Sequence, residues 1–238
     1  MGKSYKGKTC VYCGAEGASQ TGDHVFARKL FPVEQRANLP QVPACPACNQ
    51  AKSELEHYLL TLLPFGGRQP DSSKFLTATV PRRLAKNLRL HRELAEGRER
   101  TWVKGNGVIR SSLTLPFDGE KLAALFTFVT RGMVAHAWQA QIPQDYYVGA
   151  GLLTRVGASF LEPFLRGGGQ HAVDSLGGGL IDYHGVQASA NPFLTVWRFR
   201  LYGGVAFGGD PQAPGHTSSD LWAISARQPP QGLFDGSS

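Results

Sequence analysis

Residues 10–52 read CVYCGAEGASQTGDHVFARKLFPVEQRANLPQVPACPACNQAK, and the two Cys-x-x-Cys pairs bracketing this stretch decide how the first part of the chain folds. All four cysteines of the 238-residue chain lie here, as Cys10/Cys13 and Cys45/Cys48. Without a secretory leader, such pairs read as a metal site before they read as disulfides. Two knuckles complete a tetrahedral sulfur shell that suits structural Zn²⁺ and leaves no position open for chemistry. A redox dithiol or four free thiols are the competing readings.

Between the knuckles, His24-Val25-Phe26-Ala27 has the pattern of a short strand. Pro40 and Pro43 keep the approach to Cys45 extended. From Ala47 onward, Leu55, Tyr58, Leu59 and Leu62 fall at the spacing of an amphipathic helix, with Pro64 and Gly66-Gly67 as its expected stop. The first unit is therefore strand, strand, helix around one zinc, over residues 1–66.

Outward from it, residues 66–80 read as a linker running into a short strand. Arg82–Arg92 reads as one helix with Leu84, Leu88 and His91 inward and Arg82, Arg83, Lys86, Arg89 and Arg92 on its surface. Residues 67–110 thus form a basic linker and helix. Residues 111–238 read as an accessory domain of unknown role: a long apolar helix at 119–141, a second helix at 152–165, and an antiparallel meander of strands at 193–202, 203–207 and 221–226. The fold class expected is α+β. The glycine triplets at 167–169 and 177–179 lack the pattern of a nucleotide loop and read as loops. Trp102, Trp138, Trp197 and Trp222 sit in apolar segments and read as core. Arg198 and Arg200 read as lining a groove or sitting on an edge strand, and His171, His184 and His216 as scattered.

Charge points to a partner. Residues 1–110 hold 18 Lys and Arg against 9 Asp and Glu, and the remainder holds 7 against 9. A basic half beside a near-neutral half suits a polyanion, whose counterions are released on binding. Solubility is the plainer use of such charge. No apolar run is long enough to span a membrane, and MGKSYKGKTC leads into no apolar stretch, so a cytoplasmic location without membrane contact is expected.

Asp23, His24 and Asn49 carry the chemistry. Phosphodiester hydrolysis near neutral pH needs a base for water, a divalent cation against the phosphate, and stabilisation of the departing oxygen. A histidine can serve as base, and Asp and Asn offer hard oxygens of the kind Mg²⁺ or Mn²⁺ prefers. Adjacent strand residues point to opposite faces, so Asp23 and His24 share a site only at an irregular strand end.

The run Cys-x-x-Cys, Asp-His, Asn, Cys-x-x-Cys-Asn-x-x-Lys over residues 10–63 resembles the zinc-ribbon subset of HNH (ββα-metal) endonucleases. The resemblance implies an N-terminal nuclease unit cutting DNA by direct water attack to leave 5′-phosphate and 3′-hydroxyl ends. It makes His24 the general base, Asn38 the middle residue supporting the loop and orienting the base, and Asn49 the third. Asp23 and Asn49 would hold one catalytic Mg²⁺ or Mn²⁺, and Lys52 would lie near phosphate. Asn38 sits farther from Cys45 than the family pattern has it. His57, about 80° round the helix from Asn49, falls off the active face. A homodimer would allow double-strand cutting. The alternatives are an HNH ribonuclease using the same residues, or a non-catalytic zinc ribbon gripping nucleic acid or protein.

Overall fold

The computed structural model describes residues 4–105, 107–205, 209–210, 213–217 and 220–230. Gly14, at φ 73°, closes the first knuckle by donating its N–H to the Cys10 carbonyl. The chain then forms β1 (Thr21–His24), two single 3₁₀ turns at Arg28–Leu30 and Val33–Gln35, and β2 (Gln41–Ala44). β1 and β2 pair antiparallel, with Asp23 opposite Val42 and His24 opposite Gln41. The second knuckle opens α1 (Pro46–Gly66): Cys45 is its N-cap, with its sulfur accepting the Cys48 N–H, and Pro46 takes the first turn, where its missing N–H costs nothing.

α1 continues through Pro64, past its expected stop. A proline inside a helix leaves the carbonyl four residues earlier without a partner. Here that carbonyl is Leu60, and the Arg83 guanidinium donates to it. Residues expected as linker and strand instead form α2 (Asp71–Ala78). The single helix expected over 82–92 is two, α3 (Val80–Lys86) and α4 (Leu88–Glu96), because Asn87 leaves the helical region and its side chain caps the Leu90 N–H. The break turns Leu88 and His91 outward, while Leu90 and Leu94 pack against Leu62.

A two-stranded hairpin follows, β3 (Glu99–Gly105) with β4 (Val108–Thr114). Next come α5 (Gly119–Trp138), N-capped by Asp118, then β5 (Tyr147–Leu152) and α6 (Arg155–Arg166), N-capped by Thr154. The strands β6 (Gln170–Leu176), β7 (Ile181–Ala188), β8 (Asn191–Leu201), β9 (Gly209–Asp210), β10 (Ala213–Thr217) and β11 (Asp220–Ala226) complete the chain. β5, β11, β8, β7 and β6 make one antiparallel sheet in that order. The glycines at 177–179 all take positive φ and form the turn from β6 to β7. The strand expected at 203–207 is a turn at Tyr202–Gly203 and an isolated bridge at Val205; Phe207 lies outside the described residues.

β8 alternates strictly, burying Thr195, Trp197, Phe199 and Leu201 toward α5. On the opposite face Val196 packs with Leu161 and Leu165 of α6. The units expected at 1–66 and 111–238 share one apolar core: Val25, Phe31, Leu59 and Leu63 join Leu122, Phe126, Val129, Met133, Trp197 and Phe199. Of the tryptophans, Trp197 is fully buried and Trp138 and Trp222 half-buried, but Trp102 is exposed. Among the described residues, no helix is long and apolar enough to cross a membrane.

Candidate functional site

The four cysteine sulfurs lie within 4.8 Å of one another, and none forms a disulfide. Cys13 Sγ and Cys45 Sγ are 3.8 Å apart. Sulfurs at tetrahedral corners about 2.3 Å from a zinc ion are themselves roughly 3.8 Å apart, whereas a disulfide would need about 2.05 Å. The Cys48 backbone N–H, aimed at Cys45 Sγ, is the first cause bringing that thiol down to about 7, whereas burial pushes the Cys10 and Cys48 thiols up, so without a cation the cluster does not hold four thiolates. Cys10 and Cys45 are buried. The cluster is compatible with a structural zinc, and it fastens the loop before β1 to the start of α1.

β1 ends at His24, three residues short of the strand expected over His24–Ala27, and its last two residues, Asp23 and His24, keep regular register with β2. Both line one open hollow of about 210 Å³ between β1 and α1, together with Arg28, Lys29, Ser53 and His57. Burial, the first cause, and the nearby Arg28 charge hold the His24 imidazole below its ordinary pKa, against the opposing pull of Asp23. The lowered pKa favours the neutral ring at pH 7. Gln41, its cross-strand partner, touches Nε2, and among the described residues Nδ1 has no hydrogen bond. With the amide nitrogen donating to Nε2, the hydrogen of the neutral ring lies on Nδ1; turning the amide to present its oxygen moves the hydrogen to Nε2 and frees the Nδ1 lone pair.

Asp23 is fixed from behind. Its Oδ2 accepts the Tyr12 hydroxyl at 2.6 Å and lies 3.1 Å from Lys52 Nζ. The Lys52 side chain is fully buried; it also donates to the His24 carbonyl at 2.8 Å and pairs with Glu56. Lys52, expected near phosphate, is thus sealed inside the protein, where its ammonium neutralises two acids. Desolvation pushes the Glu56 carboxyl up, and the Lys52 charge opposes it. Both contacts to Asp23 fall on one oxygen, so Oδ1 is the one available toward the hollow.

Asn49 sits on the first turn of α1 and lines a neighbouring hollow with Gln20, Thr21 and Ser53. Ser53 borders both hollows, so the two adjoin along one face of α1, but Asn49 does not line the hollow of Asp23 and His24. Asn38 is exposed in a turn at φ 58°, a conformation asparagine tolerates. The residue that touches His24 is Gln41, three positions later. His57 lines the Asp23–His24 hollow, against the expectation that it lies off that face; an offset of 80° still falls within the width of an ordinary helix face. Desolvation, Lys29 and Arg83 lower its pKa.

Within the basic set, Arg83 is committed to the Leu60 carbonyl, so it is not a free phosphate contact. Arg89 pairs with Glu93 on the surface, and Arg82, Lys86 and Arg92 are exposed, but the break at Asn87 spreads them over two helices. Arg28 and Lys29, which no sequence motif singles out, stand at the hollow itself. Farther off, β8 is the middle strand of its sheet; Arg198 and Arg200 both clamp the buried Asp220 at 2.7 Å and lie on no sheet edge. His171 Nδ1 and His184 Nε2 meet at 3.1 Å across β6 and β7. The His216 side chain lies outside the described residues.

Lys52→Met tests the buried ion cluster. It keeps the stem but leaves Asp23 and Glu56 without their cation, an uncompensated burial costing about 3–5 kcal/mol. In a chain of this size the thermal midpoint should fall by roughly 6–20 °C. An unchanged midpoint with weaker DNA binding would instead make Lys52 the phosphate contact first expected.

No protein-family profile, curated protein or solved structure matches the chain.

Proposed function

We propose that the chain is a metal-dependent endonuclease of the HNH type that hydrolyses DNA phosphodiester bonds at the hollow between β1 and α1. The observation that carries this reading is the opening of Asp23 and His24 from one strand end into one open hollow, beside two cations and against a helix fastened by the cysteine cluster. Neutral His24 takes the proton of the attacking water on Nδ1 in the tautomer protonated at Nε2, which requires the Gln41 amide to be turned so that its oxygen accepts from Nε2–H. Asp23 Oδ1 and the Asn49 side-chain oxygen would hold a Mg²⁺ or Mn²⁺ ion, which supplies charge neutralisation at the scissile phosphate. Tyr12 and Lys52 fix the carboxylate that this ion needs. Arg28 and Lys29 face the flanking phosphates.

The test is relaxation of supercoiled plasmid by the purified chain with Mg²⁺ or Mn²⁺. Nicking supports the reading; plasmid, linear and single-stranded DNA all left intact across salt and pH would sink it. RNA offered in parallel separates a ribonuclease that uses the same residues. The sign of the pH dependence follows from His24. Its lowered pKa keeps the base form present below the ordinary value near 6.5, so cleavage should fall only as pH drops through a midpoint under 6.5. A midpoint above 7 would exclude His24 as the base.

One observation favours a non-catalytic zinc ribbon instead: Asp23 already has two partners, and Asn49 lies in the adjoining hollow. On that reading the chain binds nucleic acid without cutting it under any metal.

A further inference from the structure

The hairpin β3–β4 presents a face that no described part of the chain covers. Its two strands pair with each other and with no other described strand. In register, Arg100 is opposite Leu113 and Trp102 opposite Ser111, which puts Arg100, Trp102, Ile109 and Leu113 on one side of the ribbon. Trp102 is 74% exposed, Ile109 64% and Leu113 55%. Three large apolar side chains side by side in solvent mark an interaction surface.

The foot of the hairpin is firmly held. Gly97 abuts Pro116, and Leu115 and Phe117 pack against Leu62, Leu90 and Leu94. The Tyr58 hydroxyl accepts the Asp118 N–H at 2.8 Å. Tyr58 and Leu62 belong to α1, the helix whose His57 lines the proposed active hollow. The arm is therefore anchored at its foot to the helix that lines the hollow.

We propose that this hairpin is the duplex-DNA-gripping arm of the enzyme, lying in the major groove while the hollow meets the backbone; the inference rests on the nuclease reading. Charge selects the partner. Residues 98–114 carry Arg98, Arg100, Lys104 and Arg110 against one acid, Glu99. Dimensions select the groove. Two strands about 4.8 Å apart with their side chains fit a groove about 12 Å wide, and seven residue pairs at about 3.3 Å each run along roughly two-thirds of a DNA turn. Arg100, on that face, reaches a phosphate, and the apolar side chains meet base edges and thymine methyl groups.

The experiment uses the full chain carrying His24→Ala, so that DNA is bound and not cut, with a fluorescent duplex titrated across a salt series. Trp102→Ala with Ile109→Ala should weaken binding about tenfold at fixed salt. Arg98→Gln with Arg100→Gln should flatten the plot of log affinity against log salt by about 1.8, or about 0.9 for each phosphate no longer neutralised. Trp102→Phe, a change that preserves bulk, should bind normally but lose the duplex-induced protection of tryptophan fluorescence from acrylamide. Unchanged affinity and slope in all variants overturns the arm. So does protection of Trp102 by anionic vesicles or by self-association, but not by duplex. Wild-type chain that still nicks plasmid while the arm variants bind normally removes the arm and leaves the nuclease standing. Arm-dependent binding by a wild type that never cuts removes the nuclease and keeps the arm.

Discussion

His24→Ala is expected to slow single-turnover plasmid nicking by roughly 10²–10⁴-fold, the usual worth of a positioned general base. The imidazole is half-buried, held on one side by Gln41, and kept neutral by burial and Arg28. Alanine removes the proton acceptor and leaves β1, its pairing with β2 and the cysteine cluster in place, because these rest on the backbone and on other side chains. The thermal midpoint should therefore stay near that of wild type while the rate collapses. Two controls sharpen the result. Gln41→Ala should give an intermediate loss, since the base remains but its ring is free to turn. His57→Ala separates a bystander from a participant, because His57 shares the hollow. Equal nicking by wild type and His24→Ala would place the activity elsewhere or in a contaminant.

The second large effect concerns the cysteine cluster. Stripping the metal with a chelator, or replacing Cys45 with serine, should unfold the first unit, since structural zinc contributes on the order of 10–16 kcal/mol of apparent binding free energy. Cys45 is the sensitive choice: it caps α1, it is buried, and its sulfur lies 3.8 Å from that of Cys13. Because Val25, Leu59 and Leu63 share a core with α5 and the large sheet, the loss should spread beyond residue 66. Circular dichroism and tryptophan fluorescence should then report one common transition. Metal analysis well below one zinc per chain, with a midpoint indifferent to chelator, would sink the zinc assignment.

What the sequence reveals follows from how local each signal is. The knuckles, β2 and α1 are legible because cysteine spacing and helical periodicity act within a few residues, and α5 because its apolar run is long; β1 is read three residues too late, because the apolar run after His24 is a core-facing bend rather than strand. Arg83 is misread because its role depends on Pro64, whose missing N–H frees the Leu60 carbonyl for a partner that only the fold brings near. Lys52 is misread because a charge is presumed to seek water, and only the fold brings Asp23 and Glu56 to it. Leu88 is misplaced because one asparagine rotates everything after it out of register. Gln41 goes unnoticed because its meeting with His24 is made across strands, and Trp102 because an apolar letter does not say whether anything stands opposite. β5, β6 and β7 lack clean alternation: the sheet is covered by helices on both faces, and β6 lies at its edge with little burial on either side.

Gly132, in the middle of α5, sits so close to β1 that a methyl group there would come within 2.9 Å of the Val25 side chain. Val25 is the residue directly after His24. The proposed cutting strand is thus pressed into position by a helix more than a hundred residues away, through a gap only glycine leaves open. The first 66 residues are therefore not a portable cassette. Excised or fused to another protein, they would lose the wall that sets where the strand ends, and swapping the C-terminal half between relatives would require the pair at 25 and 132 to be exchanged together.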